Sequence, residues 1–345
     1  MPRSHPFTAH VPGLTDKEGI RYDVVGLGNA LVDIITLVDD DVLGAQQLVK
    51  GSMQLVDTTR ALEISAALGD GVRTSGGSAA NTTAGIASLG GETAFIGRVA
   101  DDDLGADFAR DLAALGVDFR AGRGGDEPTG RCIIAVTPDA QRTMSTHLGI
   151  SAMFSDEDVH EDIVAAGAVL YLEGYLFDRP EAKQAFRRAA AAAHARGRVV
   201  ALTLSDAFCV DRHRGDFRAL VRDEIDLVFA NENELLSLYE EDRFDDAIEM
   251  LRRDCRIGAV TRSEKGSVIV TRDDVHAVPA VPVGTVVDTT GAGDLFAAGF
   301  LRGFTRGLAL TDCARMGAIA AAEVIQHVGP RPLVPLVDLL PADLA

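Results

Sequence analysis

Asp288-Thr289-Thr290-Gly291-Ala292-Gly293-Asp294, followed by Leu295-Phe296-Ala297-Ala298-Gly299-Phe300-Leu301, is the stretch from which the rest of the chain can be read. A β-branched run, Thr285 to Val287, leads into two glycines and a carboxylate, and Phe296, Phe300 and Leu301 then recur with the spacing of one helix face. The pattern predicts a helix beginning near Gly291 with Asp294 in its first turn. The amides of Gly291, Ala292 and Gly293 have no acceptor inside such a helix, and the helix dipole adds positive character, so the turn suits a phosphate. Asp294 then has two readings. Aspartate is a good helix cap. Alternatively it is a general base that takes a proton from a substrate hydroxyl while the amides stabilise a transferring phosphoryl group.

Outward from this stretch, apolar β-rich runs at 22–27, 94–96, 168–172, 199–204, 227–230, 259–261 and 267–270 alternate with helical patterns near 78–89, 104–115, 180–196 and 245–254. Such alternation predicts an α/β fold, a doubly wound, mostly parallel sheet with helices on both faces. Two regions depart from it. Within 34–56 and 130–148 the chain reads as short alternating strands, with Cys132, Ile134 and Val136 on one face against Ile133, Ala135 and Thr137 on the other.

The 345 residues carry 33 basic and 52 acidic side chains, a net charge of −19, which makes non-specific nucleic-acid binding a poor expectation. A phosphorylated substrate must find local positive charge or bring a metal ion. Cys132, Cys209, Cys255 and Cys313 are widely spaced and form no C-x-x-C pair, as expected of reduced, buried thiols in a cytoplasmic protein. No run of eighteen apolar residues suggests a membrane span. Residues 1–20 mix proline, histidine and charge, and are expected to be a flexible N-terminal extension without the apolar core of a signal peptide.

DTTGAGD resembles the C-terminal signature of the ribokinase-like (PfkB) family of sugar and nucleoside kinases, and the likeness extends from about Tyr22 to Pro332 through several further motifs. It implies a ribokinase-like α/β domain of residues 21–33, 58–129 and 149–345, with a small discontinuous β-lid of residues 34–57 and 130–148 over the acceptor. Exposed lid strands would either pair two subunits into a homodimer or cap one site.

The first strand runs into Gly26-Leu27-Gly28-Asn29-Ala30-Leu31-Val32-Asp33, whose G-x-G lacks the third glycine and the following helix of a dinucleotide site. Asn29 and Asp33 nevertheless stand at the carboxyl end of a strand, where open α/β sheets bind small ligands. A carboxylate can accept hydrogen bonds from two adjacent hydroxyls, and the resemblance gives Asp33 the vicinal hydroxyls of a ribose. In Ser75-Gly76-Gly77-Ser78-Ala79-Ala80-Asn81, paired glycines suit a hinge and a close ligand approach; the resemblance makes Gly77 and Asn81 ribose contacts. Ser78 replaces the lysine common in ribokinases and leans towards adenosine kinases, whereas Glu173 matches a sugar-contacting glutamate of ribokinases. Tyr175 and Phe177 are candidates to stack on a purine or simple core residues.

The chain has no G-x-x-x-x-G-K-[ST] loop. In Asn231-Glu232-Asn233-Glu234 the spacing of Asn231 and Glu234 is similar to the family's magnesium and phosphate motif, with Glu234 acting on Mg²⁺ through water, although a carboxylate in a helix's first turn also has a structural explanation. Thr261 and Gly266 match a loop around the nucleotide, and the small-residue face containing Ala318 admits a flat adenine or packs tightly on another helix. Arg142 resembles the family's phosphate-seeking arginine, and Asp288 and Thr290 fall where many members bind K⁺. The resemblance therefore implies an ATP-dependent, Mg²⁺-using kinase for the 5′-hydroxyl of adenosine, with another nucleoside or a sugar such as ribose or fructose as the alternative acceptor. A non-catalytic nucleoside-binding protein on the same fold is the remaining possibility.

Overall fold

The computed structural model describes residues 18–122, 125–139 and 141–345; most of the expected N-terminal extension, residues 1–17, lies outside them. The sequence alternation becomes a nine-stranded sheet in the order β14-β13-β12-β11-β10-β9-β1-β5-β6. Its members are β1 (Tyr22–Leu27), β5 (Thr93–Gly97), β6 (Val117–Ala121), β9 (Gly167–Glu173), β10 (Val199–Thr203), β11 (Leu227–Asn231), β12 (Ile257–Thr261), β13 (Ser267–Thr271) and β14 (Val275–Val278). From β12 to β6 every pairing is parallel, and the hairpin β12-β13-β14 closes one edge in antiparallel fashion.

Successive strand side chains point to opposite faces, and both faces are buried. In β1, Val25 and Leu27 join the core beneath α6 (Pro180–Ala195), α7 (Ala207–Asp223), α8 (Glu232–Tyr239) and α9 (Phe244–Asp254), with Phe186, Phe217, Leu238 and Ile248. Val24 joins the opposite core beneath α3 (Ser78–Ser88), α4 (Asp103–Ala114), α10 (Ala292–Thr305) and α11 (Leu310–Val324), with Ile86, Phe108, Phe300 and Met316. The fold is thus the doubly wound arrangement expected. Helix α10 is buried from Leu295 to Leu301. Its Gly299 lies so close to α11 that an added Cβ would sit 2.4 Å from the Met316 carbonyl oxygen, and one on Gly317 would meet the Phe296 carbonyl at 2.6 Å.

A second sheet, in the order β3-β8-β7-β2-β4, packs α1 (Asp40–Ala45) and α2 (Thr58–Leu68) over Leu43, Leu48, Ile64 and Ile133. Its strands are β2 (Leu31–Leu37), β3 (Met53–Leu55), β4 (Val72–Gly76), β7 (Gly130–Val136) and β8 (Arg142–His147). The division expected within 130–136 holds: Cys132 and Ile134 face the cleft, while Ile133 and Ala135 join the small core.

Three features differ from the sequence reading. The small sheet begins at Leu31 and includes 72–76, spans assigned there to the large domain, because Leu31, Val32 and Asp33 pair with Gly76, Ser75 and Thr74. As an edge strand with Val72 and Arg73 exposed, β4 leaves little apolar signal. Thr285–Val287 is not a strand; Val287 N–H bonds the Ile325 carbonyl at 2.8 Å and Val286 is exposed. The short edge strands β6 and β14 carry no clear strand pattern, being largely polar or exposed.

Candidate active site

Between the two sheets lies a cleft of about 1650 Å³, lined by the small sheet, the carboxyl ends of the large-sheet strands and the start of α10. Gly291 caps α10 at φ 78°, and an added Cβ would lie 2.8 Å from Pro330, so the turn needs glycine on both counts. Asp294 follows in the first turn, and its carboxylate makes no helix cap. It crosses instead to the start of α3, accepting the Ser78 hydroxyl at 2.6 Å and the Asn81 amide at 2.9 Å. Burial raises its pKa, opposed by those two hydrogen bonds and by the charge of Arg331.

On the acceptor side, Asp33 is 8% exposed. Burial pushes its carboxyl up to about 6 despite the nearby charges of Arg142 and Arg331. Glu173, 1% exposed, is fully engaged within the protein. One oxygen accepts Asn29 N at 3.2 Å and Asn29 Nδ2 at 2.8 Å; the other accepts Ala79 N at 2.8 Å. Burial raises it to about 7, with these donors opposing. Gly28 leaves room for that carboxylate, since a Cβ there would stand 2.4 Å from Oε2. The Oδ1 atoms of Asn29 and Asn81 are buried without a protein partner, two acceptors that a ligand hydroxyl can satisfy. Gly77, at φ 97°, approaches the Asn29 carbonyl so closely that a Cβ would lie 2.1 Å from it.

Tyr175 lines the cleft, and its amide donates to Ser205 Oγ at 3.2 Å; Phe177 is core, stacked on Phe217 with ring centroids 4.4 Å apart. The apolar wall consists of Leu31, Cys132, Ile134, Met144 and Leu148 from the small-sheet side and Phe208 from α7. Phe208 is 66% exposed, with the Arg212 guanidinium 4.3 Å over its ring. Sequence reasoning missed it, although its place just beyond the carboxyl end of β10 was a usable signal. It missed Arg331 as well, which only the folded chain brings to the site.

On the donor side, Asn231 and Glu234 form a reciprocal capping box at the start of α8. Glu234 accepts Asn231 N at 2.9 Å and Nδ2 at 2.6 Å, and burial raises it to about 7. Thr261 ends β12, and Gly266 turns the chain at φ 85°, where a Cβ would lie 2.1 Å from the Val278 carbonyl oxygen. Ala318, Ala321, Ala322, Ile325, Val281 and Val286 wall a narrow apolar slot. Gly317 serves tight packing on Phe296 while Ala318 faces the cleft, so both explanations of the small-residue face apply, one to each residue.

Arg142 is ion-paired with Asp288 and bonds Thr290 Oγ1 at 2.9 Å; its Nε and Nη2 are buried and unpartnered. Asp288 also accepts Gly329 N at 2.9 Å, Thr290 N at 3.0 Å and Thr290 Oγ1 at 2.8 Å. Burial acts to raise this carboxyl, but the hydrogen bonds and Arg142 outweigh it and hold it below its ordinary value. With its lone pairs so occupied, the Asp288 carboxylate accepts K⁺ only if Arg142 leaves. No group of three metal-ligating side chains occurs among the described residues, which fits Mg²⁺ carried mainly by phosphates and water.

Residues 49–336 match the family model described as pfkB family carbohydrate kinase. The chain belongs to that family. Adenosine kinase from Sinorhizobium meliloti is 50% identical, covering 92% of this chain and 98% of its own at a TM-score of 0.86. A probable sugar kinase from Rhizobium etli is 47% identical, covering 92% and 97% at the same TM-score of 0.86. Adenosine kinase of Saccharomyces cerevisiae is 27% identical over 330 residues, 89% of this chain and 96% of that protein. This pfkB family member is therefore an ATP-dependent kinase that phosphorylates a hydroxyl of a small nucleoside or sugar, and it is adenosine-kinase-like. Among the described residues, no helix is long and apolar enough to cross a membrane.

Proposed function

We propose that this kinase transfers the γ-phosphate of ATP to the 5′-hydroxyl of adenosine, with Asp294 as general base. The observation that carries the proposal is the placement of Asp294: it is held by Ser78 and Asn81 on the acceptor side while its own helix presents the amides of Gly291, Ala292 and Gly293 to the donor side. The 5′-hydroxyl loses its proton to Asp294 as its oxygen bonds the γ-phosphorus, and the bond to the bridging oxygen of ADP breaks. The three amides stabilise the equatorial oxygens of the transferring group. Arg142, freed from Asp288, adds its unused guanidinium donors to the same oxygens. Mg²⁺, for which Glu234 and Asn231 are the nearest fitting groups through water, supplies neutralisation of the phosphate charge.

The acceptor is inferred from two features. Glu173 has no oxygen left for a sugar, and its contacts hold Asn29 and the start of α3 instead. Asp33, Asn29 Oδ1 and Asn81 Oδ1 then suit ribose hydroxyls, while Phe208, Tyr175 and the apolar face of the small sheet suit a purine. ATP-dependent turnover measured over adenosine, other nucleosides, ribose and fructose tests this. Preference for a free sugar would overturn the acceptor, and tight adenosine binding without turnover would overturn the activity.

A further inference from the structure

Arg331, in the loop after α11, directs its donors at the junction between the small sheet and α3. Its Nη1 donates to the Ala80 carbonyl at 2.9 Å. Its Nη2 donates to the Ser75 carbonyl at 3.0 Å and to Ser75 Oγ at 2.8 Å, and Nε adds a longer contact of 3.3 Å to the same carbonyl. These acceptors flank Gly76, Gly77 and Ser78. On its far side Ser75 is fastened to α4, its amide donating to Asp111 Oδ2 at 2.8 Å and its hydroxyl to the same oxygen. Arg331 makes no direct bond to Asp33 or Asp294, yet both charges, together with Asp111, act on the guanidinium. Removing this cation would leave two buried carboxylates facing one cleft with Arg142 as their remaining basic neighbour, and Arg142 is committed to Asp288.

We propose that Arg331 is a positioning residue for phosphoryl transfer: it clamps the backbone on either side of Gly76-Gly77, fixing where Ser78 and Asn81 hold Asp294, and its charge balances the paired negative charges of Asp33 and Asp294. The inference rests on Asp294 being the base. A bidentate clamp on a carbonyl and a hydroxyl needs the planar guanidinium, whereas the charge alone needs only a cation, so lysine separates the two parts. The charges facing Asp294 are Asp33 from β2, Glu173 from β9, Glu234 from α8 and Arg331 itself.

The test is the pH dependence of kcat/KM for the acceptor in folded Arg331→Met, Arg331→Lys and Asp111→Asn proteins, beside the wild type. A base must be ionised, so activity is lost as pH falls through its pKa, and loss of a nearby positive charge moves that acidic limb to higher pH. Arg331→Met is expected to lower kcat about tenfold to a hundredfold and to move the limb upward by about half a pH unit or more. Arg331→Lys is expected to lower kcat with the limb unmoved. Asp111→Asn, which removes a counter-charge from Arg331, is expected to shift the limb downward and carries the test if Arg331→Met does not fold. A limb that stays at the wild-type pH in both Arg331→Met and Asp111→Asn, or in Asp111→Asn alone if Arg331→Met does not fold, would overturn the inference. Failure of the base assignment is distinguishable, because Asp294→Asn would then retain turnover whatever the Arg331 variants do.

Discussion

The two halves of the cleft solve different recognition problems with different materials. The acceptor half is a mesh of polar side chains already bound to one another: Glu173 to Asn29 and Ala79, Ser78 and Asn81 to Asp294. What it leaves open is a few acceptor atoms and one carboxylate. The donor half is mostly wall, made of alanines, valines and turning glycines, with its polar side chains closed into the Asn231–Glu234 box and the Glu232–Arg262 pair at 2.8 Å. A buried, satisfied mesh selects by hydrogen-bond geometry, because a ligand lacking the matching group strands its partners. A wall of small residues selects by shape and tolerates chemical variation along its length.

That contrast can be challenged by substitution. Asp294→Asn, at the seam of the halves, should reduce kcat by about three orders of magnitude or more, measured by a coupled assay, with a melting temperature close to wild type; near-normal turnover would refute the base. Gly77→Ala forces a side chain into the Asn29 carbonyl and should raise the acceptor KM about a hundredfold while the ATP KM changes little. Ala318→Leu should do the reverse, raising the ATP KM about tenfold through crowding of the slot and sparing the acceptor KM. An effect on both constants in either variant would show that the halves are not separable.

The smallest expected effect concerns pH. Glu173 is raised from the ordinary glutamate range to about 7, so its stabilising contribution is whole below about pH 4.5 and is lost as pH rises through 7. Glu173→Gln removes that dependence. The melting temperature of the variant relative to wild type should therefore climb between pH 5 and 8, whatever constant offset the lost acceptor introduces, and a difference independent of pH would rule out an ionising Glu173.

The large sheet was legible because central parallel strands are apolar on both faces, as in the run from Ala168 to Leu172, and helix periodicity separates them. Edge strands were not, since β4, β6 and β14 owe their state to a neighbour's hydrogen bonds and carry few buried side chains. The positions of Asp294, Asp33, Asn29 and Glu234 could be named from motifs, but their partners could not. Ser78 to Asp294 spans 216 residues and Arg331 to Ser75 spans 256, and no local pattern encodes a contact at that separation. Glu173 shows the converse: its motif suggested a sugar ligand, while its fold context turns both oxygens inward.

The junction between β4 and α3 carries one more implication. The chain leaves the small sheet at Gly76 and, within two residues, begins the helix whose first turn grips Asp294. A rotation of the small sheet is thus geared directly to the orientation of the proton acceptor. Covering the nucleoside and aiming the base become one movement, so water, which cannot draw the sheet down, meets a base that is out of alignment and ATP is spared.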